Sequence, residues 1–116
     1  MSERAPIQVS TRFPSKGIAL VTAEGDIGYH EAPTLRNAIK EAYDAKPARV
    51  VVDLSGVAYM ATPGLATLVE ALQMSKRSQV VLVLCGLTDR VRAVFEIARL
   101  HTVFRIVPDA ATALTA

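Results

Sequence analysis

Thr62 comes nearest to chemistry in this chain: a hydroxyl followed by Pro63 and Gly64, just ahead of an apolar helical stripe. A threonine there can accept from an orphan backbone N–H at a helix start, and proline at the first helical position forfeits no hydrogen bond. The same hydroxyl can instead receive a phosphoryl group, adding about −1.5 to −2 charges where the helix dipole tolerates them. Capping and phosphoacceptance both stand as readings of Thr62.

No other residues assemble into a catalytic constellation. His30 and His101 lie far apart, one opening the first helix and one following the third, and no partners at ligand spacing accompany them, so no metal site is expected. The run Gly25-Asp26-Ile27-Gly28 lacks the Gly-Lys-Ser/Thr of a phosphate loop and the third glycine of a dinucleotide turn, and reads as a turn. Cys85, the single cysteine, follows the apolar run Val80 to Leu84 and precedes Gly86, which suggests a buried strand end and excludes an internal disulfide. No cofactor is expected, the chain is read as a non-enzyme, and a small enzyme or nucleotide binder is left without a site to support it.

The elements that must position these residues follow from periodicity. Ile7 to Thr11 alternates, Gly17 to Glu24 is rich in Ile, Leu, Val and Thr, and Phe13 to Lys16 between them has turn chemistry, so a hairpin is predicted. Leu35, Ala38, Ile39, Ala42 and Tyr43 recur at helical spacing up to about Ala45, before Pro47. Arg49 to Leu54, with three consecutive valines, reads as a central strand covered on both faces.

After a loop from Ser55 to Ala61, the second helix buries Leu65, Leu68, Val69 and Leu72 and stops around Lys76 to Ser78. Val80 to Leu84 is the next strand, and Thr88 or Asp89 caps a helix with Val91, Val94, Phe95 and Ala98 inward. A short strand at Val103 to Ile106 and a small helix from Asp109 to Leu114 end the pattern. The expectation is an α/β domain: a mixed sheet of four to five strands with about four helices, mainly on one face.

The sequence has 116 residues, 51% of them hydrophobic, which suffices for one core, so a single domain over 1–116 is expected. Its formal charge of +2 comes from interspersed acids and bases, giving no basic face for nucleic acid. Residues 1–14 lack the apolar block of a signal peptide, and no apolar run is long enough to insert in a bilayer, so a reducing cytoplasmic setting is expected.

Three stretches together resemble a known family. They are Gly25-Asp26-Ile27-Gly28 leading into Ala32-Pro33-Thr34-Leu35, Val51-Val52-Asp53-Leu54-Ser55-Gly56-Val57 leading into Thr62-Pro63-Gly64-Leu65, and Val81-Leu82-Val83-Leu84-Cys85-Gly86 leading into Val91-Arg92-Ala93-Val94-Phe95. They are similar to the STAS domain of bacterial anti-sigma factor antagonists. That family reads Asp-Ser-Ser-Gly before its second helix, with the first serine phosphorylated by a partner that is both serine/threonine kinase and anti-sigma factor. Here the aligned residues are Ala61, Thr62, Pro63 and Gly64, so the resemblance puts Thr62 on the phosphoacceptor position.

The resemblance implies partner switching: the unmodified domain binds the anti-sigma factor and phosphorylation reverses this. Ala61 replaces the neighbouring aspartate, Gly28 replaces an acidic residue common at the end of the second strand, and Pro63 stiffens the loop, so binding is expected to persist with phosphoryl control altered. The partner surface is expected to comprise Gly28, Tyr29, His30, Tyr59, Met60, Ala61, Thr62, Pro63 and Gly64, with Tyr59 and Met60 either anchoring the interface or packed beneath the helix, the latter more for Met60 than for Tyr59. A homodimer stays open. The alternative is a non-switching STAS subunit of a stress-signalling or lipid-transport complex, in which Thr62 is a docking residue.

Overall fold

In the computed structural model, which describes residues 7–116, the first two strands, β1 (Gln8–Ser15) and β2 (Ile18–Glu24), form an antiparallel hairpin. The predicted Phe13–Lys16 turn is shorter than the sequence suggests. Phe13, Pro14 and Ser15 continue β1 through an irregularity between Arg12 and Ser15, leaving Lys16 and Gly17 to turn, with Gly17 at φ +81°. Pro14 is tolerated because β1 is an edge strand, and only glycine adopts that positive φ freely. The expectation of no signal peptide concerns a stretch whose residues 1–6 lie outside the described residues.

The rest alternates helix and strand: α1 (Ala32–Asp44), β3 (Arg49–Gly56), α2 (Thr62–Ser78), β4 (Val81–Cys85), α3 (Asp89–Ile97), β5 (Arg105–Val107) and α4 (Ala110–Ala113). The sheet order is β1-β2-β3-β4-β5, with every pair after the hairpin parallel. Helices that cross over with one hand between strands laid down in sequential order must share a face. Accordingly Leu35, Ile39, Leu68, Val91 and Phe95, from α1, α2 and α3, join Val21, Val50, Val52, Leu54 and Leu84 in one core. On the opposite face α4 sets Ala113 against Val51, Val83 and Cys85. Alternate β3 valines therefore feed two cores, which is why that strand is apolar without a break.

Two further expectations need correction. The last strand is Arg105–Val107 rather than Val103–Ile106, because Val103 and Phe104 donate their N–H groups to the Leu100 carbonyl in a turn. Ala98 is exposed and serves as the C-cap of α3 instead of packing inward, whereas Val69, Leu72 and Val94 are partly buried against the core. Thr88 does cap α3: its hydroxyl oxygen accepts from the Val91 N–H at 3.4 Å and its O–H donates to the Val57 carbonyl at 3.1 Å. No described helix is long and apolar enough to cross a membrane.

One buried polar contact ties α1 to α2. The Tyr43 hydroxyl donates to the Ala71 carbonyl at 3.1 Å and meets the buried Ser75 hydroxyl, and burial pushes the phenol's pKa above its usual value despite the opposing bond to Ser75. Tyr43→Phe is expected to lower stability by about 1 kcal/mol, the net worth of such a bond, with Ser75 falling back on a carbonyl of its own helix. Urea unfolding followed by circular dichroism measures this, and an unchanged midpoint would contradict the contact's contribution.

Candidate functional site

Backbone pairing brings two separate turns side by side beyond the ends of β2 and β3. The Gly25 N–H donates to the Gly56 carbonyl at 3.0 Å and the Ile27 N–H to the Tyr59 carbonyl at 2.9 Å. The Ala61 N–H then returns to the Ile27 carbonyl at 2.8 Å, so Ile27 and Met60 form a one-residue parallel bridge. This clamp fixes the segment carrying Tyr29 and His30 against the segment carrying Tyr59 and Thr62.

The helix starts then decide what faces outward. Ala61, extended at φ −86° and ψ 169°, is the N-cap of α2 and offers no side-chain bond, while its carbonyl accepts from the Gly64 N–H at 2.9 Å. Thr62 is thus the first residue of the helix and Pro63 the second, which corrects the capping reading: the Thr62 hydroxyl satisfies no helix N–H. The side chain is exposed and makes no hydrogen bond to a described residue. The hydroxyl that bonds in this turn is Thr67, which donates to the Pro63 carbonyl at 2.9 Å.

Of the nine residues expected at a partner surface, six lie at the surface of the molecule and three are buried. Tyr29 is 74% exposed, Tyr59 is 42% exposed, and His30 and Thr62 are exposed, with Ala61 and Pro63 half-buried beside them. Of the two places open to Met60, anchor or packed beneath the helix, the second holds: it is only 2% exposed, because the bridge to Ile27 turns its side chain into the core. Gly64 is buried against it: a Cβ there would stand 2.7 Å from Met60 Cγ and 2.9 Å from Ile27 Cγ2. Gly28 is also buried, and its N–H donates to Glu31 Oε1 at 2.9 Å, a carboxylate reaching back three residues as in a capping box. Gly28, Met60 and Gly64 therefore shape the surface from beneath it.

Beside Tyr29 and Pro63 an open groove of about 270 Å³ runs between α1 and α2, past Ala32 and Pro33, to Arg36 and Glu70. Those two side chains pair at 3.1 Å across the helices, both substantially exposed, so the pair contributes little to stability. No spacing rule connects residues thirty-four apart, so the sequence does not announce this pair. Among the described residues, no cluster of three or more His, Cys, Asp or Glu side chains is placed to hold a metal ion.

Cys85 closes the β4 end of the sheet, fully buried. Burial, with the charges of Asp53 and Asp109 adding to it, pushes the thiol's pKa up to about 12. Since the thiolate is the reactive form, iodoacetamide at pH 8 is expected to leave Cys85 unmodified in the folded domain and to alkylate it in 6 M guanidinium. Rapid labelling of the native protein, read by mass spectrometry, would contradict that placement.

Against known proteins, the STAS domain family pattern matches residues 14–113. An anti-sigma-B factor antagonist from Listeria monocytogenes is 37% identical over 83 residues, covering 71% of this chain and 72% of that protein. Among solved structures, an anti-sigma factor antagonist from Mycobacterium paratuberculosis superposes with a TM-score of 0.86 at 24% identity, covering 97% of each chain. The Bacillus cell fate determinant SpoIIAA in its phosphorylated form does so at 0.69 and 12% identity, over 88% of this chain and 93% of that one. With the family pattern running from the first strand through the last helix, and a sheet and helix order that superposes on such antagonists, the chain belongs to the STAS domain family.

Proposed function

We propose that this domain is an anti-sigma factor antagonist that works by partner switching in the cytoplasm, without a catalytic step of its own. Its partner is an anti-sigma factor that is also a serine/threonine kinase. The observation that carries the reading is the exposed, unbonded Thr62 hydroxyl at the first position of α2, on a segment that carries exposed Tyr59 and that the Ile27–Met60 clamp holds against the segment carrying exposed Tyr29. The name of the Listeria relative and the phosphorylated state of the SpoIIAA structure support the same reading.

In this scheme the kinase transfers the γ-phosphoryl group of ATP to Thr62 Oγ1, the hydroxyl proton leaves to a base on the kinase, and ADP departs. The product carries about two negative charges in the middle of the docking face, where the start of α2 accommodates them and an apposed partner does not. Pro63 follows the acceptor directly and has no N–H to offer the new phosphate, and Ala61 leaves the loop without the acidic neighbour seen in the family's pattern. Transfer is therefore slower than in a chain with Asp-Ser-Ser-Gly, while binding is retained.

The test is to incubate the domain with such a kinase from its own organism and ATP, then locate phosphate by tandem mass spectrometry. A phosphate on Thr62 with loss of complex on size exclusion is the expected result. A stable complex that persists with Thr62 unmodified under turnover conditions favours the non-switching subunit and overturns the scheme.

A further inference from the structure

The two edges of the sheet differ. β5 offers only three residues, Arg105–Val107, whereas β1 runs for eight, and apart from its bonds to β2 no backbone group of Gln8–Ser15 hydrogen-bonds to a described residue. An open edge of that length is normally blunted by proline, charge or a bulge. In β1 such devices stand only at the far end, with Pro14 and the irregularity between Arg12 and Ser15, while Gln8–Arg12 pairs with β2 in unbroken register.

The open stretch has a midpoint. Pro6 and Pro14, neither of which can donate to a ladder, are equally distant in sequence from Ser10, so the proline-free run from Ile7 to Phe13 is centred there. The Thr11 hydroxyl donates to the Ala38 carbonyl at 3.3 Å, which turns the odd residues toward α1 and leaves Gln8, Ser10 and Arg12 on the opposite face. There, with Thr22 and Glu24 of β2, they border an open hollow of about 350 Å³. Arg12 and Glu24 are both exposed, and neither forms a salt bridge with a described residue. Arg12 pairs with Leu20, so four residues of strand, about 13 Å, hold the two charges apart within one hairpin.

We infer that β1 is a docking edge for a second copy of this chain, the two strands pairing antiparallel about a two-fold axis at Ser10 to join both five-stranded sheets into one. In that register Gln8 opposes Arg12 of the second copy. Since Gln8 also opposes Glu24 in its own hairpin, Arg12 of each copy comes within two strand spacings, about 10 Å, of Glu24 of the other. Extended arginine and glutamate side chains span that gap above the glutamine, and the two-fold makes the pair twice. Phe13, 54% exposed, comes opposite Ile7 of the second copy. Moving the axis to Val9 or Thr11 stops the ladder earlier at a proline and parts the charges. Because the paired strands run in opposite directions, the two Thr62 faces lie at opposite ends of the shared sheet, and each copy keeps its own.

Sedimentation velocity of the whole domain over a concentration series is expected to show a monomer–dimer equilibrium that weakens as salt is raised. Arg12→Glu and Glu24→Arg, both at exposed positions, are each expected to weaken it about tenfold, and the variant carrying both changes to recover it. Mild oxidation reads the register. Ser10→Cys is expected to form a disulfide with its own copy, since the axis sets the two Cα atoms about 4.5–5.5 Å apart. Gln8→Cys alone is not, with its copies at least about 13 Å apart, whereas Gln8→Cys mixed with Arg12→Cys is. Cys85 is buried and does not compete.

A protein that stays monomeric at millimolar concentration leaves the edge to an extended segment of another protein or to residues 1–6, and overturns the proposal. A dimer indifferent to the charge changes, or one in which Gln8→Cys links to its own copy as readily as Ser10→Cys, overturns it as well. Because none of these readouts involves Thr62 or a kinase, the outcome is independent of the partner-switch scheme.

Discussion

Thr62→Glu is expected to weaken binding of the anti-sigma partner by about tenfold to a hundredfold, or about 1.4 to 2.7 kcal/mol, while leaving the unfolding midpoint nearly unmoved. The two halves of this expectation have different causes. Stability is spared because Thr62 is exposed and caps nothing, and a carboxylate in the first turn of α2 gains about 0.3–1 kcal/mol from the helix dipole. Binding suffers because the new charge stands on the exposed face proposed to dock the partner, next to Pro63, and docking there must dehydrate it. Calorimetric titration with the partner and urea unfolding measure the two. Thr62→Ala is the control: it should cost only a few tenths of a kcal/mol, whereas an N-cap threonine would cost about 1 kcal/mol. Undiminished affinity in the glutamate variant would remove Thr62 from the interface.

The same residue shows where reading from sequence stops. Periodicity places α1, β3, α2 and β4 to within a few residues because each buries one stripe or a continuous apolar run, and that pattern is local. The identity of the cap is not. Thr-Pro-Gly satisfies the rule with threonine outside the helix or as its first residue, and the choice of Ala61 follows from its N–H being drawn to the Ile27 carbonyl, thirty-four residues away. Met60 is only half legible for a related reason: a large apolar residue in a polar loop fits an interface anchor or a place beneath the helix, and the bridge to Ile27 decides for the second. Phe13 to Ser15 carry turn-like composition, yet an edge strand with an irregularity absorbs a proline that a central strand would refuse. The Arg36–Glu70 pair and the unpartnered His101 nitrogen arise only from packing, so no motif announces either.

Gly64 is where packing and the candidate site depend on each other most directly, and Gly64→Leu is expected to destabilise the domain by about 3 kcal/mol, the upper part of the range for overpacking a core. Gly64→Ala isolates the cause. Inside a helix the exchange should gain about 1 kcal/mol from propensity alone, yet the added Cβ meets Met60 Cγ at 2.7 Å and Ile27 Cγ2 at 2.9 Å. Neither atom is the free end of a side chain that can swing into solvent: Met60 is 2% exposed and Ile27 fully buried. Net destabilisation of about 1 kcal/mol is therefore expected from the alanine, with the clash outweighing the propensity gain. Any relief must come from parting the Ile27–Met60 bridge, which would also shift Tyr59 relative to Tyr29 and lower partner affinity. Shortening Met60 removes the atom in the way, so in a cycle of Gly64→Ala and Met60→Ala the double variant should be more stable than additivity predicts by about 1 kcal/mol. Strict additivity, or a stabilising Gly64→Ala, would mean that the glycine is not what lets α2 settle onto the two turns.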